Sequence, residues 1–362
     1  MRRQFQSDLV GFELDLSPLD NNLSVNSFQI YGIPAFSFHF NAFEGDLSLP
    51  IYWTSYTFKN DEKRNEQSFA FAPMAQLALQ ATNRLKFKGI AKYFSGILND
   101  QEWYDGYVLR NYHVLSLGLN ELNKHDNFNA SIGADYKNAL DALFANISFG
   151  FSHLKSTQMN SRDFKEGYMI YKLIPQINSG SMFTLSGNSS KGLMWWHTTL
   201  GIRGFYSFGK QEVYLQDELT SYQFRNAMLK AYLSSRPTSW LSLSYAMTFN
   251  RIGERLKGND KHFRNNYSQN LEVVLTPMKL FRVELMGDYY YNEISDHVKK
   301  HYFLIDAGIV YSPNDKWELS LAARNLLNNR MYGYTMFSSL TSQSVNYNIR
   351  PFEVLLSLFL RI

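Results

Sequence analysis

Leu241–Asn250 reads LSLSYAMTFN, and its alternation sets the fold class. Leu241, Leu243, Tyr245, Met247 and Phe249 fall on one face of an extended chain, and Ser242, Ser244, Ala246, Thr248 and Asn250 on the other. Successive side chains of a strand point to opposite faces, so the segment has one apolar and one largely polar side. Phe281–Asn292 repeats the pattern, with Phe281, Val283, Leu285, Gly287, Tyr289 and Tyr291 opposed to Arg282, Glu284, Met286, Asp288, Tyr290 and Asn292. Trp317–Arg324 and Phe128–Tyr136 read the same way. Together with the final strand, these segments put 25 residues on the apolar face and none is charged, although 19% of the chain is. About five charges would fall there by chance. A lysine or arginine at the midplane of a membrane barrel costs about 2–4 kcal/mol, enough to enforce the exclusion.

The chain closes on PFEVLLSLFLRI (Pro351–Ile362), whose Val354, Leu356, Leu358, Leu360 and Ile362 form an unbroken apolar face. In a soluble protein such an ending is a sticky edge; in a barrel it is expected to pair with the first strand. Tight links at Thr82–Arg84, Lys137–Ala142, Ser190–Met194, Ser235–Ser239, Thr276–Leu280 and Ser312–Lys316 alternate with longer polar stretches. These are Asn99–Arg110, Lys155–Gly167, Lys210–Ser221, Arg251–Tyr267, Glu293–His301 and Leu326–Arg350. Short periplasmic turns and long extracellular loops are the asymmetry of outer-membrane barrels. The reading is all-β: an antiparallel transmembrane β-barrel of about 14–16 strands. Residues 1–45 form an N-terminal segment with one or two strands, and residues 46–362 form the barrel.

Composition agrees. The 362 residues include 24 Tyr and 28 Phe but 9 Pro, with net charge +4 and charges of both signs interspersed. No like-charge block suggests a nucleic-acid partner. The absence of cysteine removes disulfides and thiolate metal sites. No apolar run approaches the roughly 18 residues of a membrane helix. The start, MRRQFQSDLVGFELDLSPL, lacks a continuous apolar core, so it does not read as a signal peptide. A barrel must cross the inner membrane, so further sequence upstream is the expectation.

Several segments resemble the TonB-dependent receptor family, in its outer-membrane β-barrel branch. The strongest are WELSLAARNLLNNRMY (Trp317–Tyr332) and IRPFEVLLSLFLRI (Ile349–Ile362), a strand, an Asn-Leu-Phe-Asn-like corner, a loop and an Arg-Pro-x-x-Val strand. Leu327 stands where the corner usually has Phe, and Ile362 where the terminal assembly signal usually has Phe. LSLPIYW (Leu47–Trp53), FAPMAQLALQ (Phe71–Gln80), YVLRNYHVLSLG (Tyr107–Gly118) and LSGNSSKGLMWWHTTL (Leu185–Leu200) follow in the family's order. The resemblance implies active uptake of a siderophore, cobalamin or oligosaccharide, powered through TonB acting on a plug domain. It also implies the barrel assembly machinery as a partner recognising Val354, Leu356, Leu358, Leu360 and Ile362, and admits a surface lipoprotein. Such transporters have 22 strands, and this chain has neither plug nor TonB box, so the expectation is a C-terminal barrel portion.

Signals for other chemistry are weak. GFYSFGK (Gly204–Lys210) matches the start of a phosphate loop, but Gln211 replaces the metal-holding Ser or Thr and the stretch alternates as a strand. His297 and His301 have chelating spacing for a helix, in a stretch that reads as a solvated loop. No serine, histidine and orienting residue can be assembled, and Ser152 and His153 point to opposite faces. We therefore expect no catalytic residue, metal or cofactor, and not an enzyme. Ligand contacts are expected on loops, where Trp103, Tyr104, Asp105 and Tyr107, and also Tyr332 and Tyr334, offer aromatic rings beside polar groups. The same residues would serve equally as an interfacial girdle. The functional expectation is a transporter component in the cell outer membrane, in contact with its lipid. The alternative is a passive porin-like or structural barrel.

Overall fold

The computed structural model describes residues 2–7, 21–59, 63–97, 103, 106–111, 114–119, 121–165, 168–215, 218–257, 262–294, 298–314, 316–338 and 341–360. Among these, no helix is long and apolar enough to cross a membrane, and strands dominate. In chain order β1 is Arg2–Ser7, β2 Asn21–Gly32, β3 Ala35–Phe40, β4 Phe43–Ser48, β5 Ile51–Lys59, β6 Lys63–Phe71, β7 Met74–Thr82 and β8 Leu85–Ile97. Next come β9 Tyr107–Asn111, β10 Val114–Leu117, β11 Lys124–Asn138, β12 Leu143–Ser156, β13 Met159–Lys165, β14 Tyr168–Ile174, β15 Asn178–Leu193 and β16 Thr198–Leu215. The remainder are β17 Glu218–Thr238, β18 Leu241–Leu256, β19 His262–Met278, β20 Phe281–Glu293, β21 Lys299–Asn314, β22 Trp317–Arg324, β23 Met331–Ser338, β24 Thr341–Asn348 and β25 Glu353–Leu360.

All but β23 and β24 join one 23-stranded sheet. Its spine is antiparallel: β3–β4–β7–β8–β11–β12–β15–β16, then β17 to β22 in sequence, then β25. Fifteen strands thus stand side by side at membrane height. Within the N-terminal segment β2 and β3 meet at Pro34, and β3 is the one that joins this spine. The expected pairing of last strand with first is not made among the described residues, where β25 pairs with β22 alone. Parity supplies the reason. With an odd number of alternating strands, β3 and β25 run in the same direction, so an antiparallel seam between them is not available.

Register fixes which side chains share a face. One face carries Phe36, Leu47, Leu79, Phe87, Ile132, Phe149, Leu185, Ile202, Leu229, Leu243, Leu285 and Leu356, all apolar. The other carries Lys86, Lys88, Asp135, Asn146, Asn188, Arg203, Lys230, Glu284 and Asp288. Lys88 pairs with Asp135 at 2.5 Å, Lys86 with Glu44, and Arg282 with Glu284 at 2.8 Å. Charges stay on the inner face because water and partners are there.

Two outward aromatic belts bound the apolar band. Near the turns, Phe281 stacks on Tyr311 with ring centroids 4.8 Å apart, and Tyr311 meets Trp317 at 5.8 Å. Toward the loops, Phe249, Tyr267, Tyr291 and His301 form a row with successive centroids at 5.0, 5.3 and 5.0 Å. Phe281 and Tyr291 are ten positions apart on β20. A rise of about 3.3 Å per residue and a tilt of about 40° separate the belts by roughly 25 Å, the height of a barrel's apolar band.

Beyond the upper belt the ladder does not stop. Most of Lys210–Ser221 and Arg251–Tyr267, expected as loops, is strand in β16 to β19. Alternation fades there because both faces are wet, while the backbone pairing that makes a strand continues.

The Asn-Leu-Leu-Asn corner shows why asparagine is required. Asn325 and Asn328 have φ of 50° and 51°, a region asparagine tolerates. The buried Asn325 amide donates to the carbonyls of Asn329 at 2.7 Å and Arg350 at 2.8 Å, and Asn328 Oδ1 accepts from the Phe352 N–H at 3.1 Å. The corner thereby aims the last strand back onto β22.

Facing makes a direct prediction. Leu243→Arg and Leu285→Arg, each placing a cation in the apolar band, should each cost about 2–4 kcal/mol of membrane stability and lower assembly yield. Ser244→Arg and Met286→Arg, one residue away on the inner face, should assemble near wild-type levels. Equal yields of all four in a heat-modifiability gel would remove the lipid-face assignment.

Candidate functional site

The end of the sheet above the upper belt holds the candidate site. Pro34, Pro50 and Pro73 stand where β2 meets β3, β4 meets β5 and β6 meets β7. Their carbonyls accept from the N–H groups of Leu49, Ala72 and Tyr93, each at 2.9 Å. A proline returns no N–H, so one rung is missing at each and the ladder is interrupted along a line. Above that line, among the described residues, β6 keeps a single ladder pair with β8, Phe71 with Ser95. The group β1, β2, β5 and β6 therefore parts from the main wall as a flap.

Trp103 anchors this flap. It is 3% exposed and packs with Leu23, Val25 and Phe58, backed by Tyr56, Ile97, Val108 and Leu122. Its ring meets Tyr56 and Phe58 edge-on at centroid distances of 4.8 and 5.3 Å, and its indole N–H has no hydrogen-bond partner among the described residues. In this arrangement the tryptophan is the core of the flap, not an open stacking surface. Tyr104 and Asp105 lie outside the described residues.

Two long connections build a side branch of the sheet. β9 pairs with β10, β10 runs parallel to β14, and β14 pairs with β13. Where β12 passes into β13, the chain crosses over so that β13 adjoins β16. A buried polar knot holds the crossing: Ser156 Oγ donates to Asn123 Oδ1 at 2.7 Å, and Gln158 Nε2 donates to the Glu121 carbonyl at 3.3 Å. Tyr107 is half-buried here against the Leu115 and Ile170 core, beside Tyr168.

A third cluster lies at the other side of the sheet. Half-buried Tyr332 meets Tyr302 at 5.0 Å and Tyr290 at 5.8 Å, and the Gly333 N–H donates to the Tyr302 hydroxyl at 3.0 Å. Burial holds the Tyr332 hydroxyl above the ordinary tyrosine range, with Tyr290 and Tyr302 adding to the effect. Tyr334 lies on β23, and its side chain is outside the described residues. The residues singled out from sequence thus fall into separate clusters. Tyr290 and Tyr302 were not singled out, although their period-2 position on the inner face was the available signal.

Inside the wall, a groove of 490 Å³ is lined by Lys88, Asp135, Asn146, Asn188 and Arg203, with Gly133, Ser148 and Ser186 leaving room. Higher on the same face, Tyr222 donates to Glu254 at 2.8 Å. Burial pushes the Glu254 carboxyl up, against the lowering influence of that hydroxyl and of Arg162.

Among the described residues no three His, Cys, Asp or Glu side chains converge as a metal site. His301 belongs to the upper belt, with Nδ1 2.9 Å from the Tyr289 hydroxyl; His297 is outside the described residues. Gly204–Lys210 is a strand within β16, as its alternation implied. His153 Nδ1 comes within 2.9 Å of Ser181 Oγ across strands, a pair that spacing along one strand could not reveal. No third group orients the imidazole among the described residues, so the pair lacks the orienting partner of a triad. Of the terminal apolar face, Val354, Leu356, Leu358 and Leu360 are 54–70% exposed, as lipid-facing residues are, and Ile362 is outside the described residues.

This geometry defines a class: a membrane-spanning antiparallel β-sheet of the outer-membrane barrel type, apolar outside and polar within. No family model matches the chain, and no curated protein matches it. Among solved structures, a mutant ferric enterobactin receptor from Pseudomonas aeruginosa is similar at TM-score 0.34 and 9% identity, over 85% of this chain and 75% of that one. The siderophore receptor PirA from Acinetobacter baumannii is similar at TM-score 0.37 and 8% identity, over 99% of this chain and 58% of that one. The β domain of the Bordetella autotransporter BrkA is similar at TM-score 0.25 and 9% identity, over 81% and 99%. Superpositions this loose add nothing to the argument, and the class rests on register, belts and charge.

Two outcomes are expected at the mouth. Trp103→Ala should remove about 3–5 kcal/mol of packing from the flap and accelerate hydrogen exchange in β2 and β5 while leaving β17 to β20 unchanged. Uniform exchange across the sheet would deny Trp103 its anchoring role. Glu254 holds its proton more tightly folded than unfolded, so its contribution to stability is present in acid and is lost as pH rises through the folded pKa. Glu254→Gln should therefore gain on wild type in thermal unfolding as pH climbs above about 4.5, the ordinary carboxyl value, and parallel curves would contradict the burial effect.

Proposed function

We propose that this chain is part of the β-barrel wall of a TonB-dependent outer-membrane transporter taking up a bulky nutrient, a siderophore, cobalamin or an oligosaccharide. The width of the sheet is the observation that carries the reading. About eight strands suffice for a barrel filled by its own side chains, 16 to 18 leave a channel, and 22 enclose a plugged lumen. Fifteen strands with a polar inner face, unclosed among the described residues, already approach the 16 to 18 that leave a channel. Their two outer edges also need partners, because unpaired backbone in hydrocarbon costs several kcal/mol per group. A parallel pair of edges accepts an odd number of further strands between them, which suits a wall section of a larger barrel.

In this reading the protein resides in the cell outer membrane in contact with its lipid. Val354, Leu356, Leu358, Leu360 and Ile362 are the signal for the barrel assembly machinery. TonB acts through a plug domain that occupies the lumen, and a surface lipoprotein is an admissible partner at the mouth. Tyr104, Asp105 and Tyr107, with Tyr332 and Tyr334, contribute to ligand capture at the loop end, while Trp103 serves as the core that holds the flap. The inner groove with its Lys88, Asp135 and Arg203 lining favours a second reading, a passive porin-like barrel, in which those charges bias solute passage.

Uptake separates the two. Labelled ferric siderophores, cobalamin and oligosaccharides are supplied to the native host and to a strain lacking the gene, with and without a protonophore. Loss of one uptake on deletion, with the same loss under the protonophore, is the expected result. Uptake that is insensitive to the protonophore, together with steady conductance of the purified protein in planar bilayers, would replace transport with passive diffusion.

A further inference from the structure

Charge on the outward face above the upper belt is distributed unevenly. On β11 and β12, Lys155 stands directly opposite Asp126; on β20 and β21, Lys299 stands opposite Glu293. On β16, β17 and β18 the pattern breaks. Lys210, Arg225, Arg251 and Arg255 all face outward, with Glu212 as the one carboxylate among them.

The four cations are neighbours. Arg225 is opposite Gly253 and therefore diagonal to both Arg251 and Arg255, while Lys210 and Arg255 both oppose Gln223. Direct neighbours across strands lie about 5 Å apart and diagonal ones about 7–8 Å. None of the four makes an ion pair among the described residues. Like charges this close repel, and a bound counter-charge relieves that repulsion.

Two of the guanidiniums are held in position. Arg251 lies 4.4 Å from the centre of the Phe263 ring, and Arg225 lies 5.2 Å from that of Phe208. The Phe263 ring packs across Gly253, where any Cβ would come within 2.5 Å of it. Gly253 thus leaves room for the ring that Arg251 covers. A cation over an aromatic face is retained at about 0.5–1 kcal/mol on an exposed surface while keeping its outer N–H groups available.

Height identifies the ligand. Arg251 follows Phe249, a member of the upper belt, by two residues on β18, and Arg255 follows it by six. At the rise and tilt used above, the cluster begins about 5 Å beyond the belt, at the level of lipid headgroups, and reaches to about 15 Å. We propose that Lys210, Arg225, Arg251 and Arg255 form a binding site for the phosphate of a membrane lipid headgroup on the outer surface of β16–β18. Guanidinium pairs suit phosphate oxygens through charge-assisted, bidentate hydrogen bonds. The inference rests on the membrane-spanning reading of the sheet and is independent of what the barrel transports.

The test uses the full chain. Insertion into phosphatidylcholine vesicles is scored first by protection from protease. Binding of phosphatidic acid is then measured by thermophoresis in uncharged detergent, with diacylglycerol and inorganic phosphate as separate arms. Saturable binding of phosphatidic acid is expected, with none to diacylglycerol and little to free phosphate. The triple substitution R225Q/R251Q/R255Q should weaken it about a hundredfold, at roughly a tenfold loss for each one or two cations removed near a charged surface. K155Q/K299Q, which removes cations already facing carboxylates, should leave it unchanged. A chain that inserts but binds phosphatidic acid and diacylglycerol alike, or a triple variant that binds like wild type, overturns the site alone. Failure to insert overturns the membrane reading and the site with it. Equal affinity for inorganic phosphate and phosphatidic acid makes this a simple anion site and overturns the lipid assignment.

Discussion

Hydrocarbon offers no water to a backbone N–H or C=O, and the rest of this structure depends on that constraint. Every residue crossing the apolar band must find its hydrogen bonds across strands, and the spine from β3 to β25 does so with long antiparallel registers. Once the backbone is committed to a sheet, the period-2 geometry of the strand sorts everything else. Leu243 and Leu285 are driven to one side, Ser244 and Met286 to the other. The same constraint makes the two outer edges of the sheet consequential, since β3 and β25 run in the same direction and cannot close the antiparallel ladder between themselves.

Where water returns, the rules relax and the architecture becomes irregular. Three prolines on adjacent strands each remove one rung of the ladder, and the strands beyond them separate into a flap. That flap needs a core of its own, and Trp103, arriving from a distant loop, completes it. The branch formed by β9, β10, β14 and β13 belongs to the same wet region, and Asn123, Ser156 and Gln158 hold the strand crossing with buried hydrogen bonds. The mouth is thus assembled from long-range contacts, in contrast to the local alternation that governs the wall.

The membrane wall was legible in the chain because lipid imposes a rule on each residue separately. Charge exclusion along Phe281–Tyr291, the turns after Thr82 and Thr238, and the apolar ending on β25 all follow from one-dimensional pattern. The Asn325–Asn328 corner was visible as a motif, although its hydrogen bonds to Arg350 and Phe352 were not. Strand above the bilayer escaped the pattern, since a ribbon wet on both faces carries no alternation to read, and Lys210–Leu215 passed for loop. The aromatic residues near Trp103 and Tyr332 were found by composition, but nothing in composition distinguishes a ring buried in a core from a ring at a surface.

The sequence by itself determined the all-β class, the inner and outer faces and the height of the apolar band, because each depends on the order of neighbouring residues against a uniform solvent. Only the tertiary structure decided the parity of the wall, the proline line, the burial of Trp103, the pairing of His153 with Ser181 and the grouping of Arg225, Arg251 and Arg255. These depend on which strands lie side by side and in what register. Register is a property of pairs of segments, set by contacts far apart in the chain.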